Sequence, residues 1–201
     1  MTRIRRNPMM RAMKRLLLTG FGAFPGAPQN PTETLVNALA RQAPRGLDAH
    51  LFTHVLPVIW REAEVRIASL IEDIRPDTIL HLGLATQRAH VSVETRARNE
   101  CSITLPDAEN ICRRSGTIDP KGPGLRLARL DIPDIIETLR AAGLTTHLSN
   151  DAGDYVCNHT LYLSLGSAVP RVGFIHLPYP TEAMTLGMMQ KGIEDILRRL
   201  A

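Results

Sequence analysis

The chain has 201 residues, of which 44% are hydrophobic and 22% charged, and its formal net charge is +4 at pH 7. This length suits one domain with a full core, and this composition excludes disordered and fibrous proteins. Six of the basic residues lie in the first fifteen positions, and only 4% of the chain is aromatic, so a nucleic-acid-binding surface is not expected.

Residues 1–13 form a basic leader without the apolar segment of a secretory signal, and we predict that it is disordered. Any of four methionines could be the true start: Met1, Met9, Met10 and Met13. Residues 14–201 are predicted to form a single α/β domain. No apolar run is long enough to span a membrane, so no membrane contact is expected. Three cysteines without C-x-x-C spacing argue against a disulfide framework or a zinc site and favour a reducing cytoplasm.

The first half of the domain alternates strands and helices. A continuous apolar run predicts a buried strand over residues 14–21, and a Gly- and Pro-rich loop follows it. Asn30 and Pro31 are typical of a helix start. A strand over residues 50–58, a helix over 60–74 and a strand over 78–84 complete this half. Repeated βα units predict a three-layer sandwich, with helices on both faces of a mainly parallel sheet.

The second half begins with residues of period two from His90 to Arg98, which predicts a strand with Glu94 in its middle on the polar face. Residues 99–130 are predicted to be rich in loops. Further elements are a helix over 132–142, a strand over 145–149, a helix after Cys157, a strand over 172–177 and a helix over 181–200. Sites gather at the carboxyl ends of parallel strands, where we expect Phe21, residues 150–157 and His176.

Cys157 and His176 have the residue types of a thiolate–imidazole pair, in which the histidine takes the thiol proton. A helix N-terminus beside Cys157 is expected to lower the pKa of the thiol and to supply N–H donors for an oxyanion. Glu94 could orient the imidazole. The simpler interpretation is also open: a cysteine in an apolar segment is often a small buried hydrophobe, and a lone carboxylate is often solvated.

Other sequence patterns are weaker evidence for a functional site. Three glycines after the first strand (Gly20, Gly22 and Gly26) approximate a dinucleotide-binding loop, but prolines interrupt the turn into the helix, and no cofactor or metal is expected. Phe21 and Phe24 in this loop suit a hydrophobic clamp or ordinary core packing. Among the histidines, His50 and His54 lack further ligands at metal-binding spacing. His81 is expected in the core, and His159 is expected to point away from Cys157.

Several segments in one order resemble pyroglutamyl peptidase I, the pyrrolidone-carboxylate peptidases, from Lys14 to the C-terminus. They are L-L-L-T-G-F-G-A-F-P-G-A-P-Q-N-P-T, V-L-P-V, I-R-P-D-T-I-L-H-L-G-L-A, V-S-V-E-T-R-A-R-N, L-S-N-D-A-G-D-Y-V-C-N-H-T-L-Y-L-S-L and V-G-F-I-H-L-P-Y. The resemblance implies a cysteine exopeptidase that removes N-terminal pyroglutamate through a thioester. It also implies a homo-oligomer, often a tetramer.

By the same resemblance, Glu94 orients the His176 imidazole, Cys157 attacks the substrate as the nucleophile, and His176 transfers the proton. The implied substrate-binding residues are Phe21, Phe24, Asn30 and Val156. The chain departs from the family at two positions, Thr95 and Thr104, where the family usually has arginine. Loss of a fixed positive charge at Thr104 leaves two alternatives: a hydrolase of another small cyclic or acylated amide, or a catalytically silent pyroglutamate-binding homologue. A nucleotide-dependent reductase is the last alternative.

Overall fold

The computed structural model describes residues 13–201, so the expectation of a disordered leader concerns residues that, Met13 apart, lie outside the described part. This described part contains eight strands and five helices, in chain order β1 (Lys14–Phe21), α1 (Pro31–Arg41), β2 (Ala49–Leu56), α2 (Trp60–Ile74), β3 (Thr78–Leu84), β4 (Val91–Glu94), β5 (Arg96–Arg98), β6 (Leu125–Leu127), α3 (Ile132–Ala141), β7 (Thr146–Ser149), α4 (Val156–Gly166), β8 (Arg171–Leu177) and α5 (Leu186–Leu200). Within residues 13–201 no helix is both long and apolar enough to cross a membrane.

Six strands form the central sheet in the order β2-β1-β3-β8-β4-β7. Strands β1, β2, β3 and β8 are parallel, whereas β4 is antiparallel to β8 and parallel to β7. The prediction of a mainly parallel sheet is therefore confirmed. Residues 150–157 follow the carboxyl end of β7, which runs opposite to β8.

Helices cover both faces of this sheet, as the three-layer prediction requires. One apolar core lies between the sheet and α1, α3 and α5, and a second lies between the sheet and α2 and α4. All seven residues of β3 are buried, which explains its continuous apolar sequence. At the start of α1, the Asn30 side chain accepts a hydrogen bond from the Thr32 N–H at 3.1 Å, and Pro31 occupies the first turn.

The predicted strand over residues 90–98 is divided in two. Thr95 N–H donates to the Ser149 carbonyl, and the chain then leaves the sheet to pair β5 with β6 in a separate two-stranded sheet. Glu94 therefore ends β4 instead of lying in mid-strand, and all four residues of β4 are buried. The last helix begins at Leu186, five residues later than predicted, after a Thr185 side-chain cap.

Candidate active site

Glu94 and His176 form a hydrogen-bonded pair across adjacent antiparallel strands. Because Ser92 lies opposite His176 in the register, Glu94 is two residues further along β4, and both side chains lie on the same face of the sheet. His176 Nδ1 is 2.8 Å from Glu94 Oε1, and both side chains are buried. A carboxylate acceptor at Nδ1 fixes the proton there and leaves Nε2 as the free acceptor of the ring.

Cys157 lies in the first turn of α4, as its second helical residue. Its sulfur lies against Gly83 of β3, where a Cβ atom would be only 3.0 Å from Sγ and 2.6 Å from the Phe174 ring. Gly83 is directly opposite His176 in the register of β3 and β8. The missing side chain at position 83 therefore makes room for the sulfur beside the imidazole-bearing strand.

Cys157 and His176 line the same cavity, although no hydrogen bond joins the sulfur to the imidazole within the described chain. Burial, together with a smaller effect of the Glu94 carboxylate, raises the pKa of the Cys157 thiol to about 12, and Arg88 opposes this shift. The expected lowering of this pKa by the helix N-terminus was wrong, because desolvation of the thiolate outweighs the helix.

The start of α4 carries donors that sequence reasoning did anticipate. Tyr155 is the N-cap, and its side chain makes no capping hydrogen bond within residues 13–201. The Tyr155 hydroxyl instead donates to the Pro106 carbonyl at 2.8 Å. The first N–H groups of a helix have no intrahelical acceptor, so those at Val156 and Cys157 can donate to an oxygen atom in front of the sulfur.

The cavity has a volume of about 550 Å³, which suits a small ligand. Its lining is mostly apolar and comes from the loop after β1, the end of β3 with the loop that follows, the loop between β5 and β6, the segment that leads into α4, and the end of β8. The residues are Phe24, Pro25, Leu84, Ala85, Thr86, Gln87, Arg88, Leu105, Pro106, Ala152, Gly153, Tyr155, Cys157 and His176. Phe24 and Tyr155 lie with their ring centroids 6.3 Å apart.

The remaining candidates lie behind this lining. Phe21 is buried and packs on Phe174 with a ring separation of 6.3 Å, and Val156 is fully buried. Asn30 caps α1 and donates from Nδ2 to the Gly22 carbonyl, which fixes the loop that carries Phe24. These three residues do not belong to the cavity lining. The structure therefore brings together Glu94, Cys157, His176 and Phe24, and gives the others supporting positions.

Thr104 is exposed and lies on a turn next to Leu105 and Pro106, which line the cavity. Ser102 Oγ accepts hydrogen bonds from the backbone N–H groups of Thr104 and Leu105, and Ser102 N–H donates to the Asp154 carbonyl at 2.7 Å. The Pro106 end of the turn is tied to Tyr155. The turn is thus fixed at both ends, and it presents Leu105 to the cavity while Thr104 faces solvent.

Sequence reasoning missed Arg88. Its guanidinium donates to Glu94 Oε1 and to the Asp151 carbonyl, both at 2.7 Å. The available signal was its place in the loop after the fully buried strand β3, which is where sites form in such sheets. Tyr155 was also missed, because an aromatic residue before a helix is usually core. The other buried histidines behave as expected: His81 is hydrogen-bonded in the core, and His159 packs on Trp60.

Comparison with known proteins gives one consistent result. The family model described as pyroglutamyl peptidase matches residues 14–196. A pyrrolidone-carboxylate peptidase from Pyrococcus furiosus is 36% identical over 84% of this chain and 82% of its own length, and one from Cupriavidus pinatubonensis is 34% identical over 92% of both. The solved pyrrolidone carboxyl peptidase from Thermococcus litoralis has a TM-score of 0.85, with 29% identity over 94% of each chain.

Proposed function

Because the chain belongs to the pyroglutamyl peptidase family, we propose that it is a cysteine exopeptidase that removes an N-terminal pyroglutamyl (5-oxoproline) residue from peptides. The observation that supports this most strongly is the Glu94–His176 hydrogen bond of 2.8 Å at a cavity that also contains the Cys157 thiol. Glu94, Cys157 and His176 form the proposed triad, and no cofactor enters the reaction.

In the proposed reaction the proton leaves Cys157 as the sulfur attacks the carbonyl carbon between pyroglutamate and the next residue. His176 Nε2 accepts this proton while Glu94 stabilises the resulting imidazolium. The N–H groups at the start of α4 bind the oxyanion of the tetrahedral intermediate. Since burial raises the pKa of the thiol to about 12, proton transfer accompanies the attack instead of preceding it.

The imidazolium then protonates the leaving amine, the C–N bond breaks, and a pyroglutamyl thioester remains on Cys157. Water, deprotonated by His176, attacks the thioester; the C–S bond breaks, and the proton returns to the sulfur as free pyroglutamate leaves. Phe24 and Tyr155 offer apolar faces for the flat lactam ring. Phe21, Asn30 and Val156 support this site from behind, by packing and by holding the loop of Phe24.

Compartment and assembly are parts of the same proposal. Three free cysteines, two of them outside the proposed site, favour a reducing cytoplasm. A homo-oligomer, a tetramer by resemblance to the family, is supported by exposed apolar side chains on the edge strand β7 and on β6: Leu148 is 53% exposed and Leu127 is 64% exposed. Light scattering coupled to size-exclusion chromatography measures this mass directly.

The function is tested with a pyroglutamyl-coumarin amide, whose hydrolysis releases a fluorescent amine. We expect turnover by the wild type and a loss of at least about 10³-fold in Cys157→Ser, because a serine hydroxyl is harder to ionise. Cys112→Ser is the matched control, since Cys112 is an exposed thiol outside the cavity lining, and it should retain wild-type turnover.

The two alternatives give different results in this assay. If the protein hydrolyses N-acetyl amides or cyclic amides other than pyroglutamyl, but not the pyroglutamyl amide, it is the hydrolase of another small cyclic or acylated amide. Binding of 2-pyrrolidone without turnover of any amide, unchanged in Cys157→Ala, indicates the silent homologue. The Thr104→Arg variant then shows how the positive charge that is absent here affects kcat/KM. Since Thr104 is exposed and outside the cavity lining, we expect less than about a fivefold change.

A further inference from the structure

Arg88 links the proposed triad to the segment that precedes Cys157. It lies in the loop between β3 and β4, with its side chain 27% exposed at the cavity. One terminal nitrogen donates to Glu94 Oε1 and the other to the Asp151 carbonyl, each at 2.7 Å. Its two bonds therefore fix the distance between the end of β4 and the turn that leads into α4.

The charge of Arg88 matters because Glu94 is completely buried. Glu94 Oε1 accepts from both Arg88 and His176, while Oε2 is buried and has no hydrogen-bond partner within residues 13–201. A buried carboxylate remains ionised only if a positive charge or several donors compensate for lost hydration. The guanidinium is a permanent charge, so it provides that compensation at every working pH.

We infer that Arg88 is a positioning residue of the proposed peptidase: it keeps Glu94 ionised, and thereby holds the His176 proton on Nδ1, while its second bond sets the position of the Cys157 helix. This inference rests on the proposed function. The charged and titratable groups facing Glu94 are Arg88 from the β3–β4 loop, His176 from β8 and Cys157 from α4. Beyond them, Arg98 pairs with the Asp151 carboxylate, and His90 lies near Arg88.

The test compares Arg88→Met, Arg88→Lys and Arg98→Met on the pyroglutamyl-coumarin amide. Arg88→Met should lower kcat by about 10²-fold with KM within about threefold. It should also move the acid limb of the kcat/KM profile to higher pH, because loss of a positive charge favours protonation of the Glu94–His176 pair. Arg88→Lys should restore the acid limb but only part of kcat, since an ammonium cannot make both bonds in the same geometry.

Arg98→Met is the matched control, because Arg98 also pairs with residue 151 but does not touch Glu94. It should leave the acid limb unchanged. In a Glu94→Gln background, Arg88→Met should lower kcat clearly less than in the wild-type background, since only the bond to the Asp151 carbonyl is then lost. An unmoved acid limb in Arg88→Met, or the same loss of kcat in both backgrounds, would overturn the inference.

An NMR measurement of the His176 tautomer separates this inference from the proposed function. If the wild type has no turnover, the proposed function is wrong, but ¹⁵N spectra should still place the His176 proton on Nδ1, and Arg88→Met should reduce the population of this tautomer. An unchanged tautomer population in Arg88→Met contradicts the role of Arg88 whether or not the chain is a peptidase. Circular dichroism melts of each variant confirm that the compared proteins are folded.

Discussion

The surroundings of His81 and of His176, on the adjacent strands β3 and β8, differ in the partners of the two ring nitrogens. His81 Nδ1 is 2.6 Å from the Thr19 hydroxyl, and its Nε2 is 2.9 Å from the Ser164 hydroxyl. His176 has a carboxylate at Nδ1, and its other nitrogen has no hydrogen bond within residues 13–201. Phe174 contacts both rings, with centroid separations of 5.8 and 4.6 Å.

The difference explains how two histidines with similar burial can have separate roles. Burial lowers the pKa of His81 to about 3, so this ring stays neutral, and both of its nitrogens are occupied. Around His176 a carboxylate stabilises the protonated ring, and a cavity gives access to the free nitrogen. Burial alone therefore says little about function; an ionised partner together with an open side of the ring distinguishes a proton-transfer group from a structural one.

The largest expected effect comes from His176 itself. In His176→Gln we expect kcat for the pyroglutamyl-coumarin amide to fall by at least about 10³-fold, because no group remains to accept the Cys157 proton. The fold should persist, since a glutamine amide can still bond to Glu94. The measurement is steady-state hydrolysis with a circular dichroism melt, and retention of even a tenth of the wild-type kcat would contradict the proposed role.

The space opposite His176 is the next most sensitive feature. Gly83→Ala should lower kcat by about 10²-fold, because the added methyl group would meet both the Cys157 sulfur and the Phe174 ring. Gly124→Ala is a suitable control, since no heavy atom of residues 13–201 lies within 4 Å of the added carbon. Turnover is measured for both variants; equal kcat values would mean that the sulfur does not need its present position.

Replacement of His81 should affect stability without affecting turnover. In His81→Leu the Thr19 and Ser164 hydroxyls lose their shared partner, and we expect a loss of about 1–3 kcal/mol in the free energy of unfolding. Urea denaturation measures this loss, and kcat should stay within about threefold of the wild type. A hundredfold decrease in kcat with unchanged stability would remove the distinction between the two histidines.

The smallest effect is on the pH dependence of stability. Burial lowers the pKa of His81 to about 3 and that of His159 to about 4, both below the unfolded value of 6.5. The unfolded chain therefore binds more protons than the folded chain below pH 6.5, so stability falls as the pH decreases from 6.5 towards 4. In His81→Leu this slope should be shallower by up to about 1 kcal/mol per pH unit. Urea titrations at several pH values measure it, and an unchanged slope contradicts a neutral His81.

The bounds of β1, α2 and β3 followed from sequence because their patterns are unambiguous: continuous apolar runs for the buried strands, and helical spacing between Trp60 and Arg75 for α2. The reversal of direction at β4 could not be derived in this way. Alternating residues predict a strand, but its direction in the sheet depends on pairings between residues far apart in sequence.

The proposed triad was predicted because residue chemistry and family resemblance agreed on Glu94, Cys157 and His176. The direction of the Cys157 pKa shift was not predictable, since it depends on how completely the surrounding elements exclude water. Arg88 was missed for a related reason. A guanidinium in a loop is normally solvated, and only the burial of its partner carboxylate gives this one a special position.

The hydrogen bond between His176 and Glu94 joins residues 82 positions apart. During synthesis on the ribosome, Glu94 therefore emerges long before the histidine that it accompanies. Until β8 enters the sheet between β3 and β4, the growing polypeptide has a thiol but no imidazole beside it. On the proposed mechanism, unfinished or truncated chains that lack β8 have no imidazole to accept the Cys157 proton.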